Sequence, residues 1–152
     1  MKSTTLITLA ALGSFAFYGN AYAENGHAYN GSFCDNYYGS QVGNFNHQHN
    51  GIKNNTNSGR YVSCPVIVDE IAKTTGTTRV WLYYSGSGKI SCSMFSKNGN
   101  GTTRQSKMGS RTNSGWFSIP AITSDNYWGS YSMYCYLPPK GILKTIWVGE
   151  KS

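Results

Sequence analysis

Thr78-Arg79-Val80-Trp81-Leu82-Tyr83-Tyr84, followed after a Gly-rich break by Ile90-Ser91-Cys92-Ser93-Met94-Phe95, decides the fold class. In the first run Val80, Leu82 and Tyr84 fall on one face, with Arg79, Trp81 and Tyr83 opposite. In the second, Ile90, Cys92 and Met94 share a face and Phe95 opposes them. A period of two is strand geometry, because successive side chains leave a strand on opposite sides.

The same alternation continues in both directions. In residues 130–137, Tyr131, Met133, Cys135 and Leu137 share a face, with Tyr134 and Tyr136 opposite. In residues 61–69, Val62, Cys64, Val66 and Val68 share a face. Pro65, which lacks an N–H for a ladder, marks this as an edge or bulged strand. Residues 116–120 and 142–148 read as strands, and 102–108 as a polar strand or loop. Gly99-Asn100-Gly101 and Pro138-Pro139-Lys140-Gly141 read as turns. Residues 66–73 could hold one helical turn, but no long 3.6-period segment exists. Short strands at turn-punctuated spacing predict an all-β chain: an antiparallel β-sandwich, jelly-roll-like in topology. If the two opening runs form a hairpin, Tyr84 pairs with Ile90 across a loop at 85–89. Trp81 then lies beside Ser93, Tyr83 beside Ser91, and Arg79 beside Phe95 in a cation–π contact.

The N-terminus is of another kind. Lys2, an apolar stretch over residues 6–18 and Ala21-Tyr22-Ala23 make a charged region, an apolar region and a small-x-small cleavage site. Residues 1–23 therefore read as a secretory signal peptide. Residues 24–152 are then a single β-sandwich domain, secreted or periplasmic, in a compartment that permits disulfides. Its first part, 24–59, is rich in Asn, Gly and His and reads as loops with a short strand near 31–35. No later apolar run approaches the ~20 residues of a membrane span, so none is expected.

The chain has 152 residues and a formal net charge of +7, yet only 12% are charged while 14% are aromatic. The acids are Glu24, Asp35, Asp69, Glu70, Asp125 and Glu150, so residues 71–124 hold cations without a single carboxylate. Such a surface attracts polyanions. Its cations are singly spaced rather than clustered, which favours a solvated basic surface over a dedicated site for an anionic glycan, lipid headgroup or nucleic acid, and no specific nucleic-acid partner is expected.

The runs Gly51-Ile52-Lys53-Asn54, Val62-Ser63-Cys64-Pro65, Ile90-Ser91-Cys92 and Tyr134-Cys135-Tyr136-Leu137-Pro138-Pro139 together resemble a group of small, exported, uncharacterised bacterial proteins. Their pattern is an early Cys, Gly-Ile-x-Asn, Cys-Pro, a strand Cys and Cys-x-Leu-Pro-Pro. The resemblance spans roughly residues 33–148 and implies a compact β-sandwich with two disulfides. It implies no activity. Four cysteines allow three connectivities. Cys34–Cys64 with Cys92–Cys135 is favoured: the first pair staples the loop-rich N-terminal part to the first strong strand, and Cys92 and Cys135 both lie on inward faces.

Chemistry-bearing motifs are sparse. His47 and His49 would point the same way on an extended segment, with His27 as a third partner, but no further ligand set supports a metal, and no cofactor is expected. Asp69 and Glu70 are adjacent and face opposite ways on a strand. Asp35 and Asp125 have no spacing that brings two carboxylates together. There is no Gly-x-Ser-x-Gly elbow, and Gly86-Ser87-Gly88-Lys89 lacks P-loop spacing and reads as a hairpin loop. Asn30-Gly31-Ser32, Asn54-Asn55-Thr56 and Asn100-Gly101-Thr102 match the glycosylation acceptor pattern, which a bacterial host would leave unused.

What remains are aromatic residues out of phase with the core stripes: Trp81, Tyr83, Phe95, Tyr134 and Tyr136, with Trp128 beside Tyr127 in a loop. With Arg79 and Lys89 at the margin they are expected to form one exposed face that binds a ligand. The sequence thus predicts a non-enzymatic, exported domain that binds a glycan or anionic envelope polymer. A protein-interaction module (an inhibitor or adhesin-like subunit) is the alternative, and a small secreted hydrolase follows.

Overall fold

The computed structural model describes residues 25–68, 77–123 and 129–151. These residues form eleven strands: β1 (Asn25–Asn30), β2 (Asp35–Asn36), β3 (Phe45–Gln48), β4 (Gly51–Asn54), β5 (Arg60–Pro65), β6 (Thr77–Ser85), β7 (Lys89–Lys97), β8 (Thr103–Thr112), β9 (Gly115–Thr123), β10 (Ser130–Leu137) and β11 (Ile142–Lys151). All pairings are antiparallel. One sheet, sheet A, runs β3-β4-β11-β6-β9, with β1 also on β11. The other, sheet B, runs β2-β5-β10-β7-β8. The eight strands β4 to β11 are arranged in the order of a jelly roll, β4-β11-β6-β9 facing β5-β10-β7-β8, as the strand pattern predicted.

The core lies between the sheets and is built from the alternating stripes. Val80, Leu82 and Tyr84 of β6 and Ile146 and Val148 of β11 meet Val62, Ile90, Met94, Met133 and Leu137 from sheet B, all buried. In β9 and β11 the inward residues are three apart, Ile119 with Ile122 and Leu143 with Ile146, where β-bulges shift the register against β6. A bulge adds a residue to one strand and resets its phase, which is why simple alternation fails there. Cys92 lies directly opposite Cys135 on the two central strands of sheet B, and their disulfide is wholly buried. Cys34, just before β2, is bridged to Cys64 of β5. Both bridges are those expected.

The hairpin expected between residues 78–84 and 90–95 does not form. β6 belongs to sheet A and β7 to sheet B. Tyr84 pairs with Leu143 and Gly115, and Ile90 with Arg111. Both stripes do face the core, but from opposite sides. Alternation reports which face of a strand is buried, and the inner faces of two packed sheets read alike. Residues 86–88 therefore carry the chain between sheets. They are held there by Tyr84 Oη donating to Ser87 O (2.8 Å) and Gly86 N donating to Ser114 Oγ (2.9 Å).

The N-terminal part is more regular than its composition suggested. β1, β3 and β4 extend sheet A, and residues 31–33, expected as strand, form a 3-10 turn. Pro65 is tolerated because two-residue β2 reaches only Val62 and Ser63, leaving Pro65 paired on one side alone. Among the described residues no helix is long and apolar enough to cross a membrane. The proposed leader and the 69–73 part of the expected helical turn lie outside the described residues.

Candidate functional site

The outer face of sheet B follows from the residues out of phase with the core. β7 sends Ser91, Ser93 and Phe95 outward, β10 sends Ser132, Tyr134 and Tyr136, and β5 sends Tyr61 and Ser63. Pairing sets them in rows: Tyr61–Tyr136–Ser91, Ser63–Tyr134–Ser93 and Pro65–Ser132–Phe95. Tyr136 and Tyr134 follow one another on β10 and Phe95 continues them one row on along β7, so the three form a ridge with serines on both flanks.

The rings hold one another. Phe95 stacks on Tyr134 with centroids 5.2 Å apart and planes 26° apart. Tyr61 meets Tyr134 and Tyr136 edge-on at 6.0 and 5.4 Å. Tyr37, just beyond β2, lies 5.5 Å from Tyr134, and Tyr38 packs on Tyr37 at 4.8 Å. Edge-to-face and offset geometries are favoured because ring edges are positive and faces negative. The ridge divides two shallow clefts. One, of about 300 Å³, is lined by Tyr37, Ser63, Phe95, Lys97, Ser132 and Tyr134. The other, of about 410 Å³, is lined by Tyr61, Lys89, Ser91, Ser93, Tyr134 and Tyr136, with Met108 at its side. Ring faces, hydroxyls and one lysine per cleft are groups that stack and hydrogen-bond; none is a metal ligand set.

Trp81, Tyr83 and Arg79 are not on this face. Because β6 lies in sheet A, they point outward from the opposite side of the sandwich, and the single aromatic face expected from the sequence is two faces. Trp81 pairs with Trp147 and Ser118, not Ser93, and their indoles meet at 4.4 Å. Tyr83 pairs with Thr145 and Trp116, not Ser91, and contacts the Trp116 ring at 5.3 Å. Arg79 lies opposite Gly149 rather than Phe95, and its guanidinium sits 5.4 Å over the Trp81 ring. Trp147 rests where side chains are missing: a Cβ on Gly26 or Gly149 would come within 2.4 or 2.5 Å of its indole.

Of the seven residues singled out in the sequence, the fold brings Phe95, Tyr134, Tyr136 and Lys89 together. Alternation could also have found Tyr61, which is out of phase with Val62 and Cys64, and Lys97, in phase with Phe95. Tyr37 and Tyr38 sit in an irregular segment without period. The Cys34–Cys64 bridge, the β2–β5 pairing and the Tyr37 N–H donating to Tyr61 O (3.0 Å) draw that segment onto β5.

The remaining candidates are dispersed. His47 is on β3, with Nδ1 2.9 Å from Ser32 O and Nε2 3.9 Å from Asp35. His49 lies in the turn that follows β3, so the two do not continue one extended segment. Among the described residues no group of three His, Cys, Asp or Glu could hold a metal ion. Asn54 is buried with its amide donating inward, so that acceptor pattern is closed to a glycan. Asp69, Glu70, Asp125, Tyr127 and Trp128 lie outside the described residues.

No family model and no curated protein matches the chain. Among solved structures it is similar to TmCBM61 in complex with beta-1,4-galactotriose, at a TM-score of 0.40 and 11% identity, over 84% of this chain and 88% of that one. A likeness that distant assigns this chain neither a site nor a ligand.

Proposed function

We propose that this chain is an exported, non-enzymatic domain that binds a glycan on the outer face of sheet B. One observation carries the reading: the Tyr136–Tyr134–Phe95 ridge flanked by serine-floored clefts. A sugar ring has an apolar side of C–H groups and a rim of hydroxyls. The negative faces of Tyr and Phe accept the first, and Ser91, Ser93, Ser132 and the lysines hydrogen-bond the second. Export is supported by the leader-like residues 1–23 and by two disulfides, which persist in oxidising compartments. Trp81, with Arg79 over its ring and Trp147 against it, we assign to packing of the sheet A face.

A face of tyrosines and serines also favours a second reading, recognition of a protein, since paratopes use the same pair of residue types. A glycan array probed with the wild type, Tyr134→Ala and Trp81→Ala decides between them. The expected result is glycan binding that falls by about 1–3 kcal/mol in Tyr134→Ala and is unchanged in Trp81→Ala, with both variants folded. Binding unaffected by Tyr134→Ala overturns the proposal. New reducing ends from a bound glycan would instead mark a small secreted hydrolase.

A further inference from the structure

The outward stripe of β7 reads Lys89, Ser91, Ser93, Phe95, Lys97: a lysine at each end of the strand that supports the ridge. Lys89 lines one cleft and Lys97 the other. Lys97 is eight positions along from Lys89, about 27 Å at the rise of an antiparallel strand, so a ligand that reaches both runs over Ser93 and Phe95, beside Tyr134 on β10. No carboxylate stands on the outward stripes of β5, β7, β8 or β10. Among the described residues one acid stands on this face, Asp35 on the edge strand β2, opposite Ser63. Its Oδ1 accepts from Asn36 N (2.7 Å) and lies 3.9 Å from His47 Nε2. Among the described residues the face is thus cationic at both ends of β7 and hydroxyl-lined between, with its carboxylate confined to the β2 edge.

We infer that the ligand of this face is an anionic polysaccharide, long enough to run beside Tyr134 with carboxylates meeting Lys89 and Lys97. The inference rests on the glycan reading above and adds its charge and reach. Lysine suits this role because its ammonium is a compact point charge on a flexible stem, which tolerates variable carboxylate spacing. A neutral polymer gains only the stacking, and an acidic one gains both, in a manner that salt weakens.

The test uses two acidic polymers and their charge-free esters: polygalacturonate with its methyl ester, and alginate with its propylene-glycol ester. Binding is measured for the wild type, Lys89→Gln/Lys97→Gln, Tyr134→Ala and Lys53→Gln, the last removing a cation from sheet A. At least one acidic polymer should bind about tenfold more tightly than its ester, the double lysine variant should lose that preference, and Lys53→Gln should keep it. Esters that bind as tightly as the acids, with both lost in Tyr134→Ala, overturn the charge inference and leave the glycan reading in place. Acid binding that needs the lysines but is unmoved by Tyr134→Ala overturns the stacking reading instead. No binding to any of the four polymers, or an equal loss in Lys53→Gln, overturns the inference.

Discussion

The side-chain amide of Asn54 donates to the carbonyl oxygen of Leu137, 3.1 Å away and 83 residues along the chain. The same nitrogen lies 3.1 Å from Pro138 O and 2.8 Å from Ser58 O, and Asn54 Oδ1 accepts from Thr56 N (3.0 Å) and Thr56 Oγ1 (2.9 Å). The Gly-Ile-x-Asn and Leu-Pro-Pro runs therefore meet in space. Asn54 ties β4, the 55–59 loop and the end of β10 into one corner.

Asn54→Ala should destabilise the domain by about 2–3 kcal/mol, because buried carbonyls and the Thr56 N–H lose their partner together. Asn54→Asp should be no better: it restores the acceptor toward Thr56 but turns a carboxylate toward Leu137 O and Pro138 O. Urea unfolding checks both, and an Asn54→Ala midpoint equal to the wild type would refute the role.

Gly109 closes the side of the sandwich. It sits opposite Cys92 on β8, and a Cβ there would approach Ser118 O of β9 to 2.3 Å and the Ile119 Cα to 3.2 Å. Both neighbours are backbone and cannot rotate away. Gly109→Ala should cost about 1–3 kcal/mol by prising the sheet edges apart. Thermal unfolding would show the loss, and an unchanged melting temperature would mean that the edge opens freely.

Tyr29 gives an alkaline signature. It stands on β1, and its hydroxyl donates to the Pro65 carbonyl at the end of β5, linking the two sheets. Burial pushes its pKa up from 10.0 to about 12, partly offset by a backbone hydrogen bond at Ile67. Burial also raises Tyr84. Between pH 10 and 12 the folded state then holds a proton that the unfolded state has lost, so stability present below pH 10 falls as pH rises through that window. Tyr29→Phe removes its share of this slope. Denaturant midpoints measured from pH 9 upward should decline less steeply in the variant, and identical slopes would contradict the account.

Much of this molecule was legible in the sequence because strand alternation is a local signal. Val80, Leu82, Ile90, Cys92, Met133 and Cys135 were all placed inward by parity, and all are buried. Chain order, the shared parity of Cys92 and Cys135 and the resemblance favour the observed disulfides among three connectivities. What local signal could not carry was sheet membership. The loop 86–88 can turn a hairpin or change sheets, and the choice depends on β11 and β9 competing for β6, strands far along the chain. That one choice split the candidate site, sending Trp81, Tyr83 and Arg79 to one side and Phe95, Tyr134, Tyr136 and Lys89 to the other. Tyr37 and Tyr38 escaped notice because an irregular segment has no period to read.

The separation of the two faces makes the central claim directly measurable. Trp81, Trp116 and Trp147 all lie on sheet A, while the proposed ligand lies on Tyr134 of sheet B. In a nuclear magnetic resonance titration of the mature protein with polygalacturonate oligosaccharide, the backbone amides of Ser91, Ser93, Ser132 and Tyr134 should shift, and the indole N–H signals of those three tryptophans should stay in place. Indole signals that move while the β7 and β10 amides do not would place the ligand on the other sheet and contradict the account.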